Sequence, residues 1–380
     1  MMTDDRLAVM PGDAPAHHGW HDIVSGHARG VGPSLARAGL RAASGLYAAG
    51  LAANHLIYDW GLKARTRPAL PTVSVGNLTL GGTGKTTTAA YLARRLVDRV
   101  KPVIILRGYG RHSTEDSLIV ADGARILAGL GDAGDEALML ARSLPGCAVA
   151  VGKRRERVIR DAAAATGAQV AILDDGLQYF RMERAADIVL LDALADLATW
   201  RLFPAGVLRE PLRQLRQATQ VWITHCDLAG EERVARLQGL VSAQGFRGSV
   251  VTTRHRSGGL RPLVPGRTPP GGLAGRTVVA LSALGNPDAF ECALEGLGAR
   301  VVRLRFADHH AYTVADYAAI SQLAEEAGAE LVVTTEKDAV KLPPPPGDCP
   351  QIAVLGCDLD ILSGEDAVEE LLSRVAALVR

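Results

Sequence analysis

From Pro71 onward, apolar runs of strand length alternate with longer stretches whose apolar residues recur at helical spacing. PTVSV, PVIIL, CAVAV, QVAIL, DIVLL and QVWIT are each bounded by turn residues or charges, and residues 85–99, 135–143 and 153–165 lie between them as helix candidates. Strands that are apolar at successive positions belong to parallel sheets covered by helices on both faces, so the pattern predicts an α/β fold. A second set follows: GSVVTT, RTVVALS, RVVRLRF, ELVVTT and QIAVLG, with helices predicted to begin near Asn286 and near Thr313. The Gly- and Pro-dense stretch 255–275 predicts a loop, and PPPPGD at 343–348 a stiff surface connection. We draw a boundary near residue 225, giving one α/β domain at 67–225 and a second, smaller one at 226–380.

Upstream of this pattern, residues 34–66 read differently. Ser34 to Lys63 predicts a helix whose second half, GLYAAGLAANHLIYDWGL, is apolar with tyrosines and a tryptophan, before Lys63, Arg65 and Arg67. A membrane-spanning helix needs about 20 continuous apolar residues, and Arg37 and Arg41 cut that length. Two readings remain: an interfacial helix with aromatic and basic anchors, or a helix packed on the protein's own core. Residues 1–33 are rich in Gly, His and polar residues and predict an unstructured extension, with no basic segment and compact apolar run of a secretory signal.

Composition narrows the function. At 380 residues the chain exceeds what one hydrophobic core usually serves. Aromatics at 4% and a net charge of +1 offer neither a stacking platform nor a basic footprint, which argues against nucleic acid. The five cysteines form no C-x-x-C pair, so neither zinc nor a disulfide framework is indicated, and a reducing compartment fits.

The strongest chemical signal is VSVGNLTLGGTGKTTTAAYLARRL. A strand, a Gly-rich loop and a helix opening at Gly84–Lys85–Thr86 place backbone N–H groups at the positive end of a helix dipole, where they face oxyanions. Gly81, Gly82, Thr83, Gly84, Lys85, Thr86 and Thr87 are the predicted nucleotide-binding residues. Lys85 would neutralise the β- and γ-phosphates, and the Thr86 hydroxyl would ligate Mg2+. Position 79, glycine in the usual pattern, is Thr79 here. QVAILDDGLQ then puts Asp174 and Asp175 at the C-terminal edge of the predicted sheet, where an Asp in such proteins holds the metal. The implied fold is a P-loop NTPase-like parallel sheet flanked by helices, and the implied cofactors are ATP and Mg2+.

Phosphoryl transfer is mostly positioning and charge neutralisation, so further cations and one base are expected. RGYGR supplies Arg107 and Arg111 directly after a strand, as candidates for bidentate phosphate contact. Asp135 and Glu136 open a helix, where capping is an alternative role. FADHHAYT offers Asp308 with His309 or His310 as a His–Asp pair. Arg209–Glu210 in PAGVLREPL lie in a turn, where salt-bridge scaffolding is an equal alternative to a functional role, and Lys337, Asp338 and Lys341 in TTEKDAVKL are a further candidate phosphate or nucleotide contact.

Taken in order, VGNLTLGGTGKT, RGYGR, GDEALML, LDDGLQ, PAGVLREP, GNPDAF, DHHAYT and TTEKDAVKL resemble the tetraacyldisaccharide 4'-kinase family of lipid A biosynthesis, from about residue 34 to the C-terminus. That family's loop also lacks the glycine at position 79. The resemblance implies a membrane-surface enzyme that transfers the ATP γ-phosphate to the 4'-hydroxyl of a tetraacylated glucosamine disaccharide 1-phosphate. It implies Asp135 and His309 as the catalytic acidic/His pair, with Asp135 the base and Asp308 beside His309. Thr86, Glu136, Asp174 and Asp175 take the metal side, and Arg107, Tyr109, Arg111, Gln178, Arg209 and Glu210 the acceptor side. The helix at 34–66 matches the family's membrane-associating helix, which implies the cytoplasmic face of the inner membrane, with no required protein partner. Two positions depart from the family: Tyr179 stands where it usually has His, and Thr87 where it usually has Pro. Tyr179 can donate a hydrogen bond but cannot be cationic near neutral pH.

Two other functions compete. A GTPase of the metal-insertion or targeting type would use a similar loop, and ITHCDL distantly resembles a guanine-reading motif, with His225 where lysine should stand. A lipid-binding remnant without catalysis would have no use for Lys85, Thr86, Asp135 and Asp175 together.

Overall fold

A computed structural model of the chain describes residues 7–9, 17–264, 266–285, 287–308, 310–347 and 349–379. Asn286, His309, Asp348 and most of the N-terminal extension therefore lie outside the described residues. The chain forms two compact units, a larger one of Pro15–His255 and Leu359–Arg380 and a smaller one of Met1–Ala14 and Arg256–Asp358. The boundary expected near residue 225 falls inside the larger unit.

Strand β1 (Leu7–Val9) belongs to the smaller unit, and helices α1 (His17–Ser25) and α2 (Val31–Asp59) open the larger. There follow β2 (Thr72–Asn77), α3 (Lys85–Leu96), β3 (Pro102–Leu106), β4 (Leu118–Asp122), α4 (Leu130–Ala133), α5 (Asp135–Ser143), β5 (Ala148–Val151) and α6 (Arg155–Thr166). Next come β6 (Val170–Asp174), β7 (Ala186–Asp192), β8 (Gln220–Thr224), α7 (Cys226–Ala229), α8 (Glu231–Ala243) and β9 (Ser249–Pro262). The smaller unit continues with β10 (Thr277–Ser282), α9 (Asp288–Gly296), β11 (Arg300–Arg305), α10 (Asp316–Glu326), β12 (Leu331–Thr335), α11 (Glu336–Ala339) and β13 (Ile352–Ser363). Helix α12 (Glu365–Ala377) returns to the larger unit, and β9 and β13 contribute residues to both.

In the larger unit the strand order is β9-β8-β7-β2-β6-β3-β5-β4. Neighbours from β8 to β5 pair in parallel, and only β4 runs antiparallel to its partner β5. Strands β2, β3, β5, β6 and β8 are buried along their whole length, as mainly apolar strands of a covered parallel sheet are. The register pairs Val75 of β2 with Asp174 of β6, so the acidic end of β6 comes level with the last turn of β2 before the Gly-rich loop.

The smaller unit has the order β1-β11-β10-β12-β13, parallel throughout. Its β10 shows the period of two: Val279 and Leu281 pack with Tyr317 and Ile320 of α10, while Val278 and Ala280 pack with Phe290 and Leu294 of α9.

Three local features differ from the sequence reading. Residues 17–25, assigned to an unstructured extension, form α1, where the Trp20 indole donates to the Pro204 carbonyl at 3.1 Å and its ring lies 6.2 Å from Phe203. A single aromatic anchor is invisible to composition. The predicted loop at 255–275 instead begins as the second half of β9. Its glycines are there for packing: a Cβ on Gly258 would meet the Gly356 backbone at 3.0 Å. The helix expected at 34–63 runs from Val31 to Asp59.

Candidate active site

The Gly-rich loop spans the gap between β2 and α3. Gly84, immediately before α3, has φ +82°, a conformation that glycine adopts without the strain a side chain brings. From there α3 is anchored by burying Thr88, Ala89, Ala90, Leu92, Ala93 and Leu96. The Thr86 hydroxyl donates to Asp174 Oδ2 at 2.8 Å. Lys85 Nζ lies 3.2 Å from Asn77 Oδ1, 3.5 Å from the Gly81 carbonyl and 3.8 Å from Asp175 Oδ1.

The segment carrying Arg209 is tied to the same loop by its backbone. Leu80 N donates to Val207 O at 2.7 Å, and Arg209 N donates to Leu78 O at 2.6 Å. That tie delivers the Arg209 guanidinium to Asp175, where it forks onto both oxygens at 2.8 and 3.1 Å and also reaches Asn77 Oδ1. Gln178 Nε2 donates to the Asn77 carbonyl at 3.0 Å.

Burial pushes the Asp174 carboxyl up to about 6, with Glu136 adding to the rise and Thr86 and Lys85 opposing it. Asp175 sits below the ordinary carboxylate range: burial raises it, but the Arg209 hydrogen bonds and the Lys85 charge prevail. Burial lowers Lys85, with Asp175 as the largest opposing influence. The arrangement thus holds one well-paired carboxylate and one buried carboxylate whose protein partner is a neutral hydroxyl. Mg2+ binds through one or two carboxylates and a hydroxyl, with phosphate oxygens completing its shell, and Thr86 and Asp174 fit that donor set.

The other predicted residues fall into several settings. Asp135 and Glu136 open α5, both half-buried, with Asp135 Oδ1 accepting from Glu136 N at 2.9 Å. Arg107 follows β3, donates to the Tyr109 hydroxyl at 2.6 Å and lies 4.9 Å from its ring centre, and Tyr109 is exposed. Arg111 folds back onto the Glu115 carbonyl. Gly82 is exposed, Thr83 buried and Thr87 half-buried. Glu210, expected on the acceptor side, is buried against α2, with its Oε2 3.1 Å from His55 Nε2. Burial there pushes its carboxyl up to about 7. Tyr179 donates to the Glu156 carboxylate, and its hydroxyl is pushed up to about 12 by burial and by Glu156.

In the smaller unit Asp308 follows β11, with Lys337 Nζ 3.7 Å from its Oδ1. His309 is outside the described residues; His310 stacks on Phe306 and its Nε2 lies 3.2 Å from Asp316 Oδ2. Asp338 and Lys341, offered as phosphate contacts, form a buried pair at 2.8 Å instead.

Two residues at the loop escaped the sequence reading. Asn77 gathers Lys85, Arg209 and Gln178, and its only signal was its place at the end of β2. Arg155, 4% exposed, feels both Asp174 and Asp175, yet within GKRRER nothing separates it from its exposed neighbours.

Comparison with known proteins identifies the family. The Tetraacyldisaccharide-1-P 4'-kinase family model matches residues 36–377. A tetraacyldisaccharide 4'-kinase of Anaeromyxobacter sp. (strain Fw109-5) is 40% identical over 361 residues, covering 93% of this chain and 95% of that protein. One from Halothermothrix orenii is 36% identical over 298 residues, covering 75% and 78%. A crystal structure of LpxK from Aquifex aeolicus in complex with ATP superposes with a TM-score of 0.72 at 30% identity, covering 89% of this chain and 99% of that one. On this evidence the chain belongs to the tetraacyldisaccharide-1-P 4'-kinase family.

Proposed function

We propose that this chain, an ATP-dependent tetraacyldisaccharide 4'-kinase of lipid A biosynthesis, carries out its transfer at the Gly-rich loop between β2 and α3. The observation that carries the proposal is the meeting of Lys85, Thr86, Asp174, Asp175 and Arg209 at the ends of β2 and β6. The N–H groups at the start of α3 and the Lys85 ammonium bind the β- and γ-phosphates. Thr86 and Asp174, with Glu136 nearby, would hold Mg2+, which when bound would supply charge neutralisation. Arg209 and Asn77 orient Asp175 and Lys85 so that the lysine faces the transferring group.

Asp135 acts as the general base. It takes the proton of the acceptor 4'-hydroxyl as that oxygen bonds to the γ-phosphorus, while the bond from phosphorus to the β-phosphate oxygen breaks and ADP leaves. Asp308 and His309 we assign to catalysis by resemblance alone, and Arg107, Tyr109, Arg111 and Gln178 to the acceptor. Glu210 we assign to holding Arg209's segment on α2 rather than to the acceptor.

The same proposal places the chain on the cytoplasmic face of the inner membrane through α2. No helix among the described residues is long and apolar enough to cross a membrane. Yet α2 buries no residue, and Val31, Leu35, Leu46 and Leu56 are exposed within an arc of about 80° at 100° per residue. Its polar contacts bind the protein body: Ser44 donates to Leu202 O at 2.8 Å and Tyr47 to Arg209 O at 2.9 Å. Such a helix lies in the membrane interface. Co-flotation with anionic vesicles should be lost on Leu35→Asp with Leu46→Asp; unchanged flotation would remove α2 from the account.

The deciding assay is transfer of labelled γ-phosphate from Mg-ATP to tetraacylated disaccharide 1-phosphate in detergent micelles, with Lys85→Ala and Asp135→Ala alongside. Label on the lipid that vanishes in both variants supports the assignment. Nucleotide hydrolysis without labelled lipid, especially of GTP, would overturn it.

A further inference from the structure

Asp192 at the end of β7, His225 just after β8 and His255 within β9 form an array beside the Gly-rich loop. Asp192 Oδ1 lies 2.8 Å from His225 Nδ1, and His225 Nε2 lies 2.7 Å from His255 Nδ1. His225 holds φ +57°, in the left-handed region that a non-glycine residue occupies only when its surroundings over-determine it. What fixes it here is the pair of hydrogen bonds on its two ring nitrogens. Those bonds also commit the ring that the guanine-reading motif would need for a base.

The direction of each hydrogen bond follows from chemistry. A carboxylate can only accept, so His225 Nδ1 carries the proton, and in the neutral ring its Nε2 accepts from His255 Nδ1. His255 Nε2 is then a bare acceptor, and it is buried without a hydrogen-bond partner. Burial, with His225 beside it, pushes His255 down to about 4, which keeps the ring neutral.

The far edge of that ring meets the loop. An ideal Cβ on Gly84 would lie 2.6 Å from His255 Cε1 and 2.7 Å from its Nε2, so the ring occupies the space a side chain would take. One residue earlier, the Thr83 carbonyl accepts from the Thr224 hydroxyl at 3.3 Å, next to His225. Both residues preceding Lys85 are therefore held from β8 and β9.

We infer that Asp192, His225 and His255 form a positioning array for the loop: Asp192 sets the tautomer and tilt of both rings, and His255 braces Gly84. The brace fixes how the first N–H groups of α3 face bound phosphate. This inference rests on the reading that the loop binds ATP. None of the three is a catalytic residue; they act through Gly84 and Thr83.

The test is steady-state transfer on the full chain with Mg-ATP and the lipid acceptor in micelles, comparing the parent with Asp192→Ala, His255→Phe and His255→Ala. The KM for ATP should rise about three- to tenfold in Asp192→Ala, the factor one hydrogen bond is worth, and at least as much in His255→Ala. His255→Phe keeps the ring but loses the array and should resemble Asp192→Ala. The KM for the lipid should stay within about twofold throughout, a split that general loosening of the fold would not give. Should His255→Ala fail to fold, Asp192→Ala, which leaves the ring in place, carries the test. An ATP KM within about twofold of the parent in the folded variants, or ATP and lipid KM rising together, overturns the inference. A parent that transfers no phosphate would sink the underlying reading, and the inference with it.

Discussion

The end of β6 and the end of β12 read alike in sequence: an apolar strand, then acidic residues. In the structure they are opposites. Asp174, 6% exposed, has the neutral Thr86 hydroxyl as its hydrogen-bonding partner, and its carboxyl is pushed up to about 6. Asp338, fully buried, accepts from Ala283 N at 3.2 Å and the Thr335 hydroxyl at 2.8 Å, and Lys341 Nζ lies 2.8 Å from its other oxygen. The first carboxylate sits where further positive charge is welcome; the second already has an ion pair and two hydrogen bonds. A strand-end acid marks a site when its neighbours leave its charge under-compensated, and a structural cap when they do not.

The sharpest way to break this comparison is to remove charge from the candidate active site and look for lost chemistry without lost fold. Asp135→Ala should lower kcat by about 10²- to 10⁴-fold, the usual worth of a general base. Lys85→Ala should lower it by about 10²- to 10³-fold, as for a donor aimed at developing charge. Both should keep their far-UV circular dichroism and melting temperature. A variant that melts early would place its residue with Asp338, among structural groups.

Much of this was legible beforehand, and the failures have physical causes. The unbroken apolar runs gave the parallel strands, because burial on both faces leaves no alternation to misread. The Gly-rich strand–loop–helix run and the strand-end Asp174 could each be singled out beforehand because each is a local pattern, and the Thr86–Asp174 hydrogen bond joins them in the structure. Asn77, Arg155 and the Asp192–His225–His255 array were not, because elements far apart in sequence bring them to their partners. The separate settings of Arg209 and Glu210 were not legible either: PAGVLREP does not reveal that Arg209 faces Asp175 while Glu210 meets His55 on α2. The β9 glycines read as a loop because close backbone packing and a turn both call for residues without side chains.

A paired substitution sharpens the contrast at intermediate size. Asp338→Ala strands Lys341 in the core and should cost about 3–5 kcal/mol of stability, measured by urea unfolding. Asp174→Asn removes a carboxylate that burial disfavours, so stability without nucleotide should hold or rise while transfer falls. Asp174→Asn that unfolds, or Asp338→Ala that leaves stability intact, would erase the distinction.

The smallest effect separates Glu210 from the open edge through pH. Its carboxyl keeps a proton up to about 7 in the folded chain, against an ordinary value of 4.5. Between those values the folded state binds more protons than the unfolded state, so the contribution is fully present below 4.5 and is lost as pH rises through about 7. Glu210→Gln carries no such proton, and the lowered His55 is common to both proteins and largely cancels in their difference. The melting temperature of the parent minus that of Glu210→Gln should therefore fall between about pH 5 and pH 8. Such a fall would mark Glu210 as a buried neutral tether between α2 and the Arg209 segment. A difference that stays flat, or climbs with pH, would mean that Glu210 is ionised in the fold, and it would return with Asp175 to the charged groups of the site.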